Sequence, residues 1–336
     1  MGPELDAVAA AAGIHRLPIP TPFAVGRVNA YLIEDDPLTL LDTGPNSGKA
    51  LDELEQALAA HGHRVEDLGL ILVSHQHMDH LGLVSILARR SGAQVACLDA
   101  LAPWMASYAD RMEADDHFAE RIMSRHGIPE DVRLALRAVS GSFRGWGAAA
   151  TATRVLRDGE ELALRDRRLR VHHRPGHSPS DTVFHDERRG ILLAADHLIK
   201  HISSNPLINR PLDDASEGDG ERPQALVTYL DSLRATKAMG DVSLVLPGHG
   251  DPFDDHVTLI DERFVLHARR AEKILGIIGD RPRSAYEIAQ DMWGNVAVTQ
   301  AYLTLSEVLG HVDLLLNDGR AVEEPGADGV SRFRVA

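Results

Sequence analysis

Residues 74–80 read Ser-His-Gln-His-Met-Asp-His, and His75, His77, Asp79 and His80 can each ligate a metal ion. Imidazole and carboxylate donors suit zinc and its neighbours. His75 and His77 are two residues apart, so an extended backbone turns both to the same side. Asp79 and His80 then open a helix. The segment follows directly on the apolar run GLILV at 69–73. Such a run predicts a strand buried on both faces, and α/β folds place their ligands at the ends of such strands.

Three further donors sit in comparable places. His177 stands in the Pro-Gly turn of HRPGHSPSD, just after an expected strand at 168–173. Asp196, in AADHL, ends the apolar strand 191–195, and His249, in LPGHGDPF, follows the strand 242–246. Each of these would be weak alone, because a single His after a strand is more often structural. Together they predict one metal-bearing rim of a sheet. Asp42, in LDTG, follows a strand and is expected to orient a ligand histidine by hydrogen bonding. Asn29 is a candidate support for the ligand loops. His197 and His201 are candidates for substrate contact or leaving-group protonation, and Arg210 for binding an acidic group. His172 and His173 are read as supporting or surface residues, and Cys97 as core.

Those donors need a scaffold, and its pattern is legible. VNAYLIE (28–34) and LTLLD (38–42) flank the turn signal DDP and predict a hairpin. A helix is expected at 48–61, with Leu51, Leu54 and Leu58 on one face, a second at 80–90, and a strand within 93–98. Strands alternating with helices indicate an α/β fold. Residues 101–147 carry Trp104, Met105, Met112, Met123 and Trp146 and predict an insertion of three short helices, suited to an apolar lid. Strands return over 152–195, with breaks at DG, RD and DERRG that predict hairpin turns. A loop follows at 203–223, then a helix at 223–238. Past residue 255, three amphipathic segments and a final hairpin form a winged-helix pattern. The expected domains are 1–255, catalytic, and 256–336, winged-helix-like.

Composition bounds the remaining possibilities. At about 150 residues per domain, 336 residues suit one large and one smaller unit. The net charge of −15 argues against a general nucleic-acid binder. Residues 256–336 hold 9 Lys plus Arg against 12 Asp plus Glu, and residues 298–316, the expected recognition helix, have neither Lys nor Arg. This unit is therefore expected to pack on the catalytic domain or on a second subunit of a homo-oligomer. One cysteine excludes an internal disulfide. The N-terminal MGPELDAVAAAAGIHR lacks the pattern of a signal peptide, and no apolar run of about 18 residues exists, so the expected compartment is the cytoplasm.

The motifs together resemble the metallo-β-lactamase superfamily of metallo-hydrolases. SHQHMDH resembles its HxHxDH signature, and Asp42, His177, Asp196 and His249 match its other motifs in order, over about residues 14–253. The resemblance implies an αββα sandwich with a helical insertion and two divalent metals on one edge. Zinc is the first expectation, with iron or manganese compatible with the same donors. By carry-over, His75, His77 and His177 hold one metal, Asp79, His80 and His249 the other, and Asp196 bridges them. The expected activity is hydrolysis of a small ester, thioester or lactone by a metal-bridging hydroxide, with Asp79 also orienting that hydroxide. True β-lactamases of the superfamily usually have another residue at the His80 position, so the chain resembles its glyoxalase II, lactonase and RNA-processing branches. Its C-terminal segment resembles the winged helix of the β-lactamase-like protein 2 group. A phosphodiesterase acting on RNA is the alternative; the expected partner is a small molecule, without nucleic acid or membrane.

Overall fold

The alternation of side chains along single strands divides the molecule into layers. In the computed structural model, which describes residues 2–213, 222–279 and 281–336, the run expected at 69–73 is a strand, β4 in chain order. Successive residues of a strand face opposite ways. Leu70 and Leu72 accordingly join one core cluster, whereas Ile71 and Val73 join another.

The first sheet orders β1 (Ile14–Ile19), β2 (Val28–Ile33), β3 (Thr39–Leu41), β4 (Leu70–Val73), β5 (Gln94–Leu98) and β6 (Arg154–Leu156) side by side. The second contains β7 (Glu161–Ala163), β8 (Arg168–His173), β9 (Thr182–Asp186), β10 (Ile191–Ala195) and β11 (Leu244–Pro247), with β11 and β7 at its edges. Both are mixed: β3, β4, β5 and β6 run parallel, as do β10 and β11, and the other neighbours are antiparallel. The sheets face one another through Tyr31, Leu72, Leu169, Phe184, Leu193 and Leu246, among others. Helices cover the outer faces. α1 (Gly2–Ala11) lies against β1. Leu54 and Leu58 of α2 (Gly48–Ala60) pack on the first sheet, and Leu226 and Leu233 of α8 (Ala225–Lys237) on the second. The result is the expected αββα sandwich.

Some elements differ from expectation. The helix read at 80–90 is two, α3 (Met78–Leu81) and α4 (Val84–Ser91). The insertion has three helices, α5 (Leu101–Ala106), α6 (Tyr108–Arg125) and α7 (Glu130–Phe143), but α6 is 18 residues long, so not all are short. The DG break at 158–159 closes no hairpin. β6 pairs with the open edge of β5 in the first sheet while β7 starts the second, so the turn carries the chain between sheets. The breaks at RD and DERRG do close antiparallel pairs. Of the loop at 203–223, residues 214–221 lie outside the described residues.

The C-terminal segments form α9 (His256–Ile278), α10 (Ala285–Trp293), α11 (Val296–Thr299) and α12 (Ala301–Asn317), with a three-stranded sheet of β12 (Arg283–Ser284), β13 (Ala321–Pro325) and β14 (Ser331–Val335). α9 begins sooner than its periodicity suggested, capped by Asp255, which accepts from the Thr258 N–H. Leu259 and Ile260 of α9 pack on the second sheet, whereas Ala271, Ile274 and Ile278 enter the C-terminal core. That core also includes Phe118, Ile122 and Met123 of α6. Insertion and C-terminal unit therefore share one apolar centre. No described helix is long and apolar enough to cross a membrane.

Candidate metal centre

All seven predicted donors meet at the ends of β4, β8, β10 and β11. His77 precedes α3, whose first turn carries Asp79 and His80. His75 Nε2 lies 3.1 Å from His77 Nδ1, which lies 2.9 Å from His177 Nε2. Asp196 places Oδ1 3.4 Å from His80 Nε2, and Oδ2 3.4 Å from His249 Nε2 and 3.5 Å from His177 Nε2. Asp79 Oδ2 stands 3.4 Å from His249 Nε2. Three sets of potential ligand atoms result: His75, His77 and His177; His75, His80 and Asp196; and Asp79, His80 and His249.

The remaining nitrogens of four histidines are held by the fold. His80 Nδ1–H donates to Asp42 Oδ2 at 2.7 Å. Ser74 Oγ–H donates to the same carboxylate oxygen, so its lone pair accepts from His75 Nδ1–H at 2.9 Å. His177 Nδ1–H donates to the Ser204 carbonyl and His249 Nδ1–H to the Arg27 carbonyl. A neutral imidazole that donates from Nδ1 presents its Nε2 lone pair. Four Nε2 atoms point into the cluster in this way, and each presents its lone pair once its ring is neutral, which is how outer hydrogen-bond partners prepare metal ligands. Asp42 performs its expected role. Asn29 does as well, donating to the Pro247 and Gly250 carbonyls that flank His249.

Backbone geometry brings the loops this close. Asp42 adopts φ 58°, a left-handed conformation that Asp tolerates better than most residues. Gly248 precedes His249 where a Cβ would lie 2.0 Å from Asp196 Oδ1 and 3.0 Å from His80 Cε1. Only glycine leaves room there.

Charge divides the cluster in two. Burial, reinforced by neighbouring histidines, holds His75 far below the usual imidazole pKa; burial and then His177 bring His77 down to about 3. Both are neutral, ready ligands. Burial also opposes charge on His80 and His249, but the carboxylates outweigh it. Asp196, Asp42 and Asp79 raise His80 well above its ordinary value, and Asp196 and Asp79 raise His249 to about 10. Asp196, despite burial, is held well below the usual carboxylate range by His249 and His80.

The donor set fits divalent cations. His80 Nε2 and Asp196 Oδ1 are buried with no hydrogen-bond partner. Leaving such atoms unsatisfied costs about 1–3 kcal/mol each, and a cation ligated by both removes that cost. The mixture of imidazole and carboxylate is the one zinc accepts.

Other candidates fall outside the cluster. His197 is buried against Thr236 Oγ1 at 2.8 Å, away from the cavity beside the donors. His201 lies against Gly250 and does not line that cavity either. Arg210 binds an acidic group of the protein itself, its Nε donating to Asp115 at 2.9 Å. His172 and His173 lie on β8, His173 Nε2 pairing with the Pro179 carbonyl. Cys97 is buried, its thiol pushed up to about 12 by desolvation and then Asp99. Sequence reading missed Asp181. It accepts from the Ser178 N–H and Oγ–H and closes the turn that carries His177, and burial pushes its pKa up to about 6. The Ser-Pro-Ser-Asp string after His177 was its available signal. It also missed the Arg27 and Ser204 carbonyls, which carry no sequence signal.

The sequence model describing the metallo-beta-lactamase superfamily matches residues 24–249, a span that contains every donor. The chain belongs to the metallo-β-lactamase superfamily. With the relative that follows, the family match makes it a metallo-hydrolase of this superfamily. The probable metallo-hydrolase YqjP of Bacillus subtilis (strain 168) is 31% identical over 297 residues, covering 88% of this chain and 90% of the relative. Among solved structures, the metallo-beta-lactamase family protein TTHA1429 from Thermus thermophilus superposes with a TM-score of 0.78 at 26% identity, covering 96% of this chain and 99% of its own. A beta-lactamase domain protein from Burkholderia ambifaria gives 0.76 at 28% identity, covering 96% and 92%. These superfamily relatives match over nearly the whole chain, so the C-terminal helices belong to the shared architecture.

Proposed function

We propose that the protein is a two-metal hydrolase of small esters, thioesters or lactones. The observation that carries this reading is a cavity of about 510 Å³ beside the donors. His77, Asp79, His177, Asp196 and His249 form one wall, and Phe23, Val25, Trp104, Met112, Ile199 and Leu303 line others. No Lys or Arg is among the described lining residues. Such a cavity suits an uncharged acyl group better than a phosphodiester chain, whose binding requires neutralisation of its phosphates.

In this reading His75, His77 and His177 hold one ion, Asp79, His80 and His249 the second, and Asp196 serves both. Zinc is the assigned metal. Bound ions would supply Lewis-acid polarisation of the substrate carbonyl and a water acidic enough to act near neutral pH. The chain's own residues do the positioning. Asp42, Ser74 and the Ser204 and Arg27 carbonyls keep the imidazole lone pairs inward. The Asp79 carboxylate lines the cavity wall, which supports a role for it in orienting the attacking water. Trp104, anchored by its Nε1–H to Asp115 at 3.1 Å, and Met112 exclude bulk solvent from the reacting carbonyl.

The C-terminal unit, read as winged-helix-like, serves the same cavity. α12 buries residues along most of its length, from Ala301 to Leu315, so it has no free face for a DNA groove. It instead contributes Leu303 to the cavity wall. The test is a panel of thioesters, esters, lactones and single-stranded RNA, with a His77→Ala control. Acyl substrates are expected to turn over with weak salt dependence, and RNA much more slowly. Faster RNA cleavage that disappears in His77→Ala would overturn the reading.

A further inference from the structure

Behind the metal-side cavity lies a second one of about 370 Å³, enclosed by α6, α7, α12 and the segment around Ile208. Four residues line both: Met78, Asp115, Asn209 and Leu303. Met78 stands between His77 and Asp79 in the chain. The partition between the chambers thus begins at the metal ligands themselves. A methionine is an adaptable partition, because its unbranched thioether side chain repacks at little cost.

The walls of the rear chamber are apolar. Phe118 and Met123 come from α6, Leu136 and Phe143 from α7, and Ile208 and Tyr302 from the other side. α7 buries none of its own residues. Of its apolar side chains, Leu136, Val139 and Phe143 face the chamber without being fully buried by protein. Of the charged lining groups, Arg210 pairs with Asp115, Asp116 with Arg144 and Glu120 with Arg133, while Arg137 sits on the exposed side of α7. The Tyr302 hydroxyl is turned to the Ile208 carbonyl, leaving its ring on the chamber side.

We infer that the rear chamber is a binding site for an unbranched hydrocarbon chain, and that the substrate is an acyl thioester, ester or lactone with a medium-length alkyl tail. The inference rests on the hydrolase reading of the metal site. The carbonyl would lie beside His77 and Asp79, and the tail would pass Met78 and Leu303 into the space between α6, α7 and α12. The two helices of the insertion and the C-terminal helix then have a common task, which is to build the tail site. Hydrolysis adds water across the acyl–sulfur or acyl–oxygen bond, giving a carboxylic acid and a thiol or alcohol, and needs no further reactant.

The experiment uses the full-length metal-loaded protein and S-acyl N-acetylcysteamine thioesters from acetyl to dodecanoyl. Burial of each added methylene is expected to raise kcat/KM by about fourfold until the chamber is full. Ala119 lines the rear chamber only, so Ala119→Phe should remove the gain for long chains while leaving acetyl turnover at the wild-type level, which also reports an intact fold. Val139→Phe fills the same space from α7 and provides a second, independent plug. A parallel arm measures binding of n-alcohols from butanol to dodecanol by tryptophan fluorescence, without any hydrolysis. Chain-length-dependent binding that Ala119→Phe abolishes supports the tail site even if no thioester, ester or lactone turns over, an outcome that would instead sink the hydrolase reading. Turnover and binding that do not vary with chain length, or that both plugs leave unchanged, would overturn the inference.

Discussion

Asp42→Asn tests how the site is organised, because it keeps the shape of the side chain while turning one oxygen into a donor and removing a carboxylate charge beside His80. Asn tolerates the left-handed backbone at φ 58° nearly as well as Asp, so the turn should survive. The Ser74 N–H, 2.9 Å from Oδ1, can keep its acceptor. The Oδ2 position cannot become an amide without conflict, since both Ser74 Oγ–H and His80 Nδ1–H donate to it at 2.7 Å. His80 then either loses its partner or moves its proton to Nε2, which withdraws the lone pair aimed at the cluster. Loss of such a partner weakens metal binding about 10- to 100-fold, or about 1.4–2.7 kcal/mol. The effect should reach both ions, directly at His80 and through Ser74 Oγ at His75, whose tautomer is set by the same oxygen. Competition with a chromophoric chelator should show both equivalents weakened, and the thermal midpoint of the metal-free protein should fall, because the buried His80 loses one of the carboxylates that hold it charged. Wild-type affinity for both equivalents would refute the proposed control of the His80 tautomer.

Metal-replete protein should carry about two equivalents per chain by elemental analysis; His249→Ala should retain about one, and Asp196→Ala should be the more damaging because Asp196 reaches donors of both sets. Gly248→Ala should lose metal and activity together, since its Cβ would meet the Asp196 carboxylate at 2.0 Å; normal metal content would contradict that geometry. His249, raised to about 10 in the metal-free fold, is protonated at pH 7.5, so metal uptake should release protons and tighten as pH rises; calorimetry in buffers of different ionisation enthalpy measures the count, and zero would reject the assignment. His126, buried on the Phe333 ring, is lowered to about 3 by burial and then by Arg222 and Arg125. The unfolded chain binds that proton near pH 6.5 and the folded one does not. Stability is therefore complete above pH 6.5 and falls by about 2 kcal/mol between pH 6.5 and 5; denaturant titrations of wild type and His126→Leu should show this slope flattened in the variant.

The sequence by itself determined the donors and their neighbourhood. A strand has a period of two, so His75 and His77 had to share a side once GLILV was recognised as a strand. His177, Asp196 and His249 each follow an apolar run, and the ends of strands in packed sheets are brought to a common rim. The LDTG turn likewise announced a polar group at a strand end. The tertiary structure alone decided what depends on groups without a local signature. The carbonyls of Arg27 and Ser204, which set the tautomers of His249 and His177, belong to any residue type. The DG turn at 158–159 could close a hairpin or cross between sheets, and the choice lay with the open edge of β5, which no local pattern around the turn reveals. The C-terminal segment displayed amphipathic helices but not their partner. Packing α12 on α6 and α8 buried its apolar surface and carried Leu303 to a cavity whose other walls lie up to 280 residues earlier in the chain. Local periodicity shows that a helix has an apolar face; only the assembled core determines what that face meets.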